Sequence, residues 1–305
     1  MPLLVLSPWT RGGWVCSEVF DHTSILRFLE RRFGVAEPNI SPWRRAVCGD
    51  LTSMFDFARP QVQRPAALFA TSHRAALDRA DALCRDRKPG PLPLTQSLPS
   101  QERTADGDST RPARALPYRL AAVGALAGDA FTIRFANNGK AGAAFTVYSL
   151  RHNSGPWYYT LPAGDAFTET WPLRAFQDRQ YDLRAYGPNG FVRVFRGSAD
   201  SHAEVTVEYA DARKELALQL TNRFARACTF QVRDAAYGAG ARSLEVKAGQ
   251  SAALAWSVAA SHGWYDIEVS AGEDGAFFRR LCGHLEDGLP SRSDPSFGTA
   301  SEQAV

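Results

Sequence analysis

The feature that most constrains this 305-residue chain is an internal repeat in its C-terminal two thirds. Phe135, Ala136 and Asn137 align with Leu220, Thr221 and Asn222. Phe145, Thr146 and Val147 align with Phe230, Gln231 and Val232, and Ala163, Gly164 and Trp171 with Ala248, Gly249 and Trp256, all at one shift of 85 residues. The shift drifts to 84 at Tyr181 against Tyr265, and to 86 at Phe191 against Phe277 and Gly197 against Gly283. Small drifts of this kind fall where loops absorb insertions, so the pattern predicts two copies of one structural unit.

Within each copy the hydrophobic period is two. Residues 131–135 (FTIRF), 216–220 (LALQL) and 265–269 (YDIEV) alternate apolar with polar side chains, as strands with one solvated face do. Gly, Pro, Asn and Asp punctuate them at 137–139, 164–165 and 187–190, as in hairpins of antiparallel sheets. About seven strands in ~80 residues predict a small β-sandwich of immunoglobulin-like outline, without the Cys-Trp-Cys pattern of immunoglobulin domains. Trp171 and Trp256 are the expected core anchors. The alignment sorts other aromatics: Tyr159 and Leu161 correspond to Leu244 and Val246 and are expected inside, whereas Tyr158 corresponds to Ser243 and is expected outside. Trp157 corresponds to Arg242 and is expected as an exposed strand-end residue. Amphipathic aromatics at a loop suit a lipid headgroup layer, so Trp157 and Tyr158 are candidate lipid contacts.

Upstream of the repeats, residues 72–87 carry a helical stripe of Ala76, Leu77, Ala80, Leu83 and Cys84. Six prolines between 86 and 117 then give the composition of a tether. The expected organisation is an α/β segment (1–85), a proline-rich linker (86–115), two β-sandwich repeats (116–200 and 201–288) and a disordered tail (289–305). The fold class is therefore mixed, an α/β segment followed by tandem all-β units.

A net charge of +3 with no basic run argues against nucleic acid as a partner. No apolar stretch approaches the ~20 residues of a membrane-spanning helix, and no signal peptide is expected at residue 1. Five cysteines leave at least one unpaired; Cys228 and Cys282 fall in one repeat and could bridge in an oxidising compartment. No G-x-S-x-G elbow, Walker-type loop or C-x-x-C occurs, and His73, His152, His202, His262 and His284 are scattered singly.

The first 30 residues carry the chemistry. Residues 3–6 (LLVL) read as a strand buried on both faces, Gly12 and Gly13 as a sharp exit, and Asp21 as the cap of a helix whose apolar face is Ile25, Leu26, Phe28 and Leu29. Glu18, Asp21 and His22 would then sit at the carboxyl end of a strand, where open α/β sheets place ligands. Two carboxylates and an imidazole there could hold a divalent metal or shuttle protons. Asp21 as a cap, with His22 as a hydrogen-bonded first-turn residue, accounts for the same residues without any chemistry.

The motifs SPWTRGGW, SEVFDHTSILRFLERRFG and ISPWRRAVCGDLTSMFDF, within residues 2–57, resemble the end of the catalytic domain of bacterial phosphocholine-specific phospholipases C, a family related to acid phosphatases in the alkaline-phosphatase-like superfamily. The resemblance runs along nearly the whole chain and is strongest over the first sixty residues. It implies an exported enzyme, extracellular or periplasmic, that hydrolyses phosphatidylcholine or sphingomyelin to release phosphocholine, with two small domains after the catalytic one. The family's upstream nucleophile and aspartate-rich metal motifs have no counterpart here. The resemblance therefore implies a C-terminal portion, inactive alone and without a cofactor of its own, with any divalent metal belonging to the intact enzyme. It implies intramolecular contact with a catalytic half, a phospholipid surface as partner, and Glu18, Asp21 and His22 at the edge of the catalytic site. The contrasting expectation is a noncatalytic β-sandwich module that binds lipid, carbohydrate or a partner chain.

Overall fold

The structure is a computed structural model that describes residues 3–58, 73–85 and 109–297. Most of the proline-rich segment and residues 298–305 lie outside the described residues. The chain is mostly β, arranged in several antiparallel sheets.

Residues 112–198 form β1 (Pro112–Ala113), β2 (Leu120–Ala127), β3 (Ala130–Asn137), β4 (Ala143–Ser149), β5 (Trp157–Leu161), β6 (Ala166–Pro172), β7 (Gln180–Tyr186) and β8 (Val192–Ser198). The next stretch repeats the series from β2 onward as β9 (Ala203–Ala210), β10 (Glu215–Asn222), β11 (Cys228–Asp234), β12 (Ala241–Val246), β13 (Ser251–Ser257), β14 (Trp264–Ala271) and β15 (Asp274–His284). β2, β3 and β6 make one three-stranded sheet, and β9, β10 and β13 make its counterpart. Apart from β1, the remaining eight strands join in one sheet, ordered β12-β11-β14-β15-β8-β7-β4-β5. Period-two patterning dictates this: inward Phe131, Ile133 and Phe135 of β3 are fully buried, as are Leu216, Leu218 and Leu220 of β10. One apolar cluster gathers the inward side chains of β2 to β8 around Trp171, the other those of β9 to β15 around Trp256.

The repeat is legible down to single polar atoms. Buried Asn137 donates from Nδ2 to the carbonyls of Ala141, Leu161 and Pro162, and its Oδ1 accepts from Gly139 N. Asn222 repeats this toward Arg226, Val246 and Phe224 N. Both therefore satisfy loop backbone groups that burial would otherwise leave unpaired.

The two units meet where β8 pairs with β15. Arg193 on β8 is fully buried and donates to Cys282 O at 2.7 Å and Tyr265 Oη at 2.8 Å, both in the second unit. Its equivalent, Arg279 on β15, is 3% exposed and donates to Arg196 O at 2.7 Å and Tyr181 Oη at 3.0 Å, both in the first. Each guanidinium thus reaches its neighbour's core with aromatic faces in place of a carboxylate, one ring from its own unit (Phe191 at 4.1 Å from Arg193, Phe277 at 4.3 Å from Arg279) and others from the neighbour (Tyr265 at 5.5 Å from Arg193, Phe131 at 5.5 Å from Arg279).

Upstream lie α1 (His22–Phe33), α2 (Pro42–Val47) and α3 (His73–Arg85). Asp21 caps α1 in a reciprocal box with Ser24, and Gly34 ends it with φ +72°. Ser41 caps α2, with Pro42 at the first helical position. Residues 9–58 are held to the repeats by Gly142 N donating to Ala46 O, by Val15 bridging Ala113, and by Arg114 lying 4.2 Å from the Trp14 ring.

Several expectations are corrected. Residues 3–6 form no strand, and Leu4 and Leu6 are 82% and 87% exposed, because no neighbouring strand lies beside them among the described residues. Part of the expected tail is ordered: β16 (Ser291–Arg292) pairs with β1, so residues 112–113 also leave the linker. The five cysteines are free. Cys228 points into the core on β11, whereas Cys282 lies on the opposite face of β15, two strands away, with its thiol on Asp266 Oδ1 at 3.1 Å.

Candidate functional site

The N-terminal loop is built on backbone ties rather than on a sheet. Gly49 N donates to Val19 O at 2.8 Å, and Val19 N donates to Tyr118 Oη at 2.9 Å, fixing the residue that follows Glu18. The Glu18 carboxylate accepts from Ser53 Oγ and lies over Gly49, where an added Cβ would fall 2.2 Å from Oε1. Any side chain at Gly49 would displace this carboxylate.

Glu18 opens onto a cleft of 370 Å³. Ser53 and Tyr118 line it beside Glu18, Asn138 and Lys140 approach from the first repeat, and Asp287 from the end of the second. Burial pushes the Glu18 carboxyl above its ordinary range and Asp50 adds to this, while the Ser53 hydrogen bond and Arg27 oppose it. Glu18 can therefore keep a proton at a higher pH than a free glutamate.

Asp21 is engaged differently. Partial burial raises its pKa, but hydrogen bonds from Thr23 N and Oγ1 and the Arg44 guanidinium outweigh that and hold it below the ordinary range. His22 is exposed as the first residue of α1. Of the three candidate residues, Glu18 alone lines the cleft.

The trio does not fit a metal. Glu18 is committed to Ser53, Asp21 to Thr23 and Arg44, and among the described residues no group of three or more His, Cys, Asp or Glu side chains could hold an ion.

The lipid-contact pair is split. Tyr158 is 72% exposed, as its alignment with Ser243 predicts, but Trp157 packs inward, edge-on to Trp171 at 5.6 Å. In the second repeat Arg242, its equivalent, lies 4.7 Å from the Trp256 ring. The correction follows from strand parity: if 159 and 161 face the core, 157 does too.

Sequence reasoning missed Ser53, Tyr118, Lys140 and Asp287. The turn at 137–139 was a visible signal, since it carries Asn138 and Lys140 to the cleft; for Ser53 and Asp287 there was none.

The family model described as bacterial phospholipase C, C-terminal domain, matches residues 112–198 and again 203–284, and the phosphoesterase family model matches residues 1–36. A non-hemolytic phospholipase C of Burkholderia pseudomallei is 44% identical over 98% of this chain and 43% of its own length. A non-hemolytic phospholipase C of Pseudomonas aeruginosa is 43% identical over 98% of this chain and 43% of its own length, and a hemolytic one from the same organism is 36% identical over 99% and 45%. The chain thus spans less than half the length of the curated relatives it matches. With both repeats matched by one family model across more than half its residues, this chain belongs to the bacterial phospholipase C family, of which it carries the C-terminal part.

Proposed function

We propose that this chain works as the C-terminal part of a phospholipase C that hydrolyses phosphatidylcholine or sphingomyelin and releases phosphocholine outside the cytoplasm. On this reading residues 1–85 complete an alkaline-phosphatase-like α/β domain, and the two seven-stranded runs are β-sandwich accessory domains on a proline-rich tether. Nucleophile and any divalent metal belong to the catalytic half, which these residues dock against.

One observation carries the reading. Residues 3–58 expose Leu4, Leu6, Ile25, Leu26, Leu29 and Phe33 together, including most of the apolar stripe of α1. An amphipathic helix that leaves this stripe uncovered has no stabilising reason to keep it unless another surface closes over it. The 44% identity to a phospholipase C that is more than twice as long supports a catalytic half as that surface.

The test joins the remaining portion of the Burkholderia pseudomallei relative to this chain. Hydrolysis of p-nitrophenylphosphorylcholine is expected from the chimera and not from the chain alone, because nucleophile and charge-stabilising groups act as one unit. His22→Ala and Glu18→Gln in the chimera should lower kcat. A folded chimera without turnover, or turnover by the chain alone, would refute the reading.

A further inference from the structure

The outer face of the eight-stranded sheet is not uniform. On the half formed by the second repeat it carries an ionic ladder: Arg233 pairs with Glu268, and Arg280 with Asp266 at 2.7 Å and Glu268 at 3.9 Å. On the half formed by the first repeat the counterparts of Arg233 and Arg280 are Tyr148 and Val194, and two further outward positions carry tyrosines in place of serines. Tyr148 stands where Arg233 does, Tyr158 where Ser243 does, and Tyr186 where Ser270 does. Because both halves have the same strands and the same inward pattern, the fold itself does not require exposed rings here.

These rings form a prepared surface. Thr146 pairs across β4 with Tyr158 on one side and Tyr186 on the other, so the three strands present them side by side. Tyr148 and Tyr186 meet edge to face at 5.7 Å. Trp43 of α2 extends the face, its Nε1 donating to Thr160 Oγ1 at 2.9 Å, and Leu150 projects just past the end of β4. All five side chains are exposed. Beyond these five side chains, Arg184 on this half pairs with Asp182 at 3.2 Å, and Arg196 of β8 lies over the Phe278 ring at 4.1 Å.

We infer that this Trp43, Tyr148, Leu150, Tyr158 and Tyr186 face docks on a zwitterionic lipid surface of the phosphatidylcholine class. The inference rests on the phospholipase reading and adds the face by which the accessory part meets the bilayer. Charge complementarity selects the occupant: a patch of five uncharged side chains suits a headgroup layer without net charge, whereas anionic lipid or nucleic acid would need a cluster of cations within the patch. Indole and phenol rings with polar tips partition into the headgroup region, with the ring at the acyl boundary and the tip in water. The rigid sheet places the rings in one plane before contact, which lowers the ordering cost of binding.

The test is sedimentation of the full chain with phosphatidylcholine vesicles. The triple variant Tyr148→Ser, Tyr158→Ser, Tyr186→Ser should reduce partitioning about tenfold or more with an unchanged β-type circular dichroism spectrum. Arg233→Ser, the counterpart change on the ionic half, should leave partitioning unchanged. No vesicle binding by the unaltered chain would overturn the inference, and so would equal binding by the triple variant or an equal loss in Arg233→Ser. Tyrosine-dependent binding to insoluble polysaccharide in place of vesicles would overturn it in favour of a glycan site. Because vesicle binding needs no turnover and p-nitrophenylphosphorylcholine needs no lipid surface, either result can fail without the other.

Discussion

Arg279→Ala probes how the two repeats are held together. The guanidinium donates three hydrogen bonds, to Arg196 O, Phe278 O and Tyr181 Oη, at 2.7, 3.0 and 3.0 Å. Bonds from a charged donor contribute about 1.5–3 kcal/mol each, but much of that sum is offset by the several kcal/mol that burying the charge costs. Truncation also opens a cavity beside Phe131, Tyr181, Phe195 and Phe277, a loss of about 2–4 kcal/mol. The net expectation is a loss of about 3 kcal/mol. At a urea m-value of ~3 kcal/mol/M this shifts the unfolding midpoint down by about 1 M, read by tryptophan fluorescence. Arg279→Met, which fills the space without the charge, should recover more than half of that shift. A midpoint for Arg279→Ala within about 0.2 M of the unaltered chain would refute the reasoning.

Two other outcomes follow from single features. Glu18 has a folded pKa above its ordinary value of 4.5, so the folded state holds the proton more tightly and stability falls as pH rises through that window. Glu18→Gln should match the unaltered chain near pH 4 and be the more stable of the two at pH 8; an unchanged difference between the two pH values would count against the buried Glu18 geometry. Brief proteolysis should cut first between residues 86 and 108 and leave a resistant piece with an all-β circular dichroism spectrum, whereas first cleavage inside 116–284 would contradict the tethered arrangement.

The β architecture was legible because each repeat tests the other: a shift of 85 residues fixes which strands correspond, and a period of two fixes which side chains enter the core. The same rule, applied to Tyr159 and Leu161, already placed Trp157 inside; comparing Trp157 with Arg242 obscured this, because a guanidinium over a Trp ring can fill the position of an indole. The joining of the units was not legible. Nothing in the local sequence marks Arg193 or Arg279 as buried, and only the pairing of β8 with β15 shows that each enters the opposite core. At the N-terminus, the Asp21 cap was a local signal, whereas the state of residues 3–6 depends on sheet partners that local sequence does not encode.

The proposed docking of residues 3–33 against a catalytic half is tested most directly by amide hydrogen exchange in this chain alone and in the chimera. The account predicts that residues 3–6 and the α1 stripe at Ile25, Leu26 and Leu29 exchange fast in the chain alone and slow by a factor of about 100 or more in the chimera, while β3 and β10 are protected in both. Equal exchange at residues 3–6 and in α1 in the two proteins would contradict it.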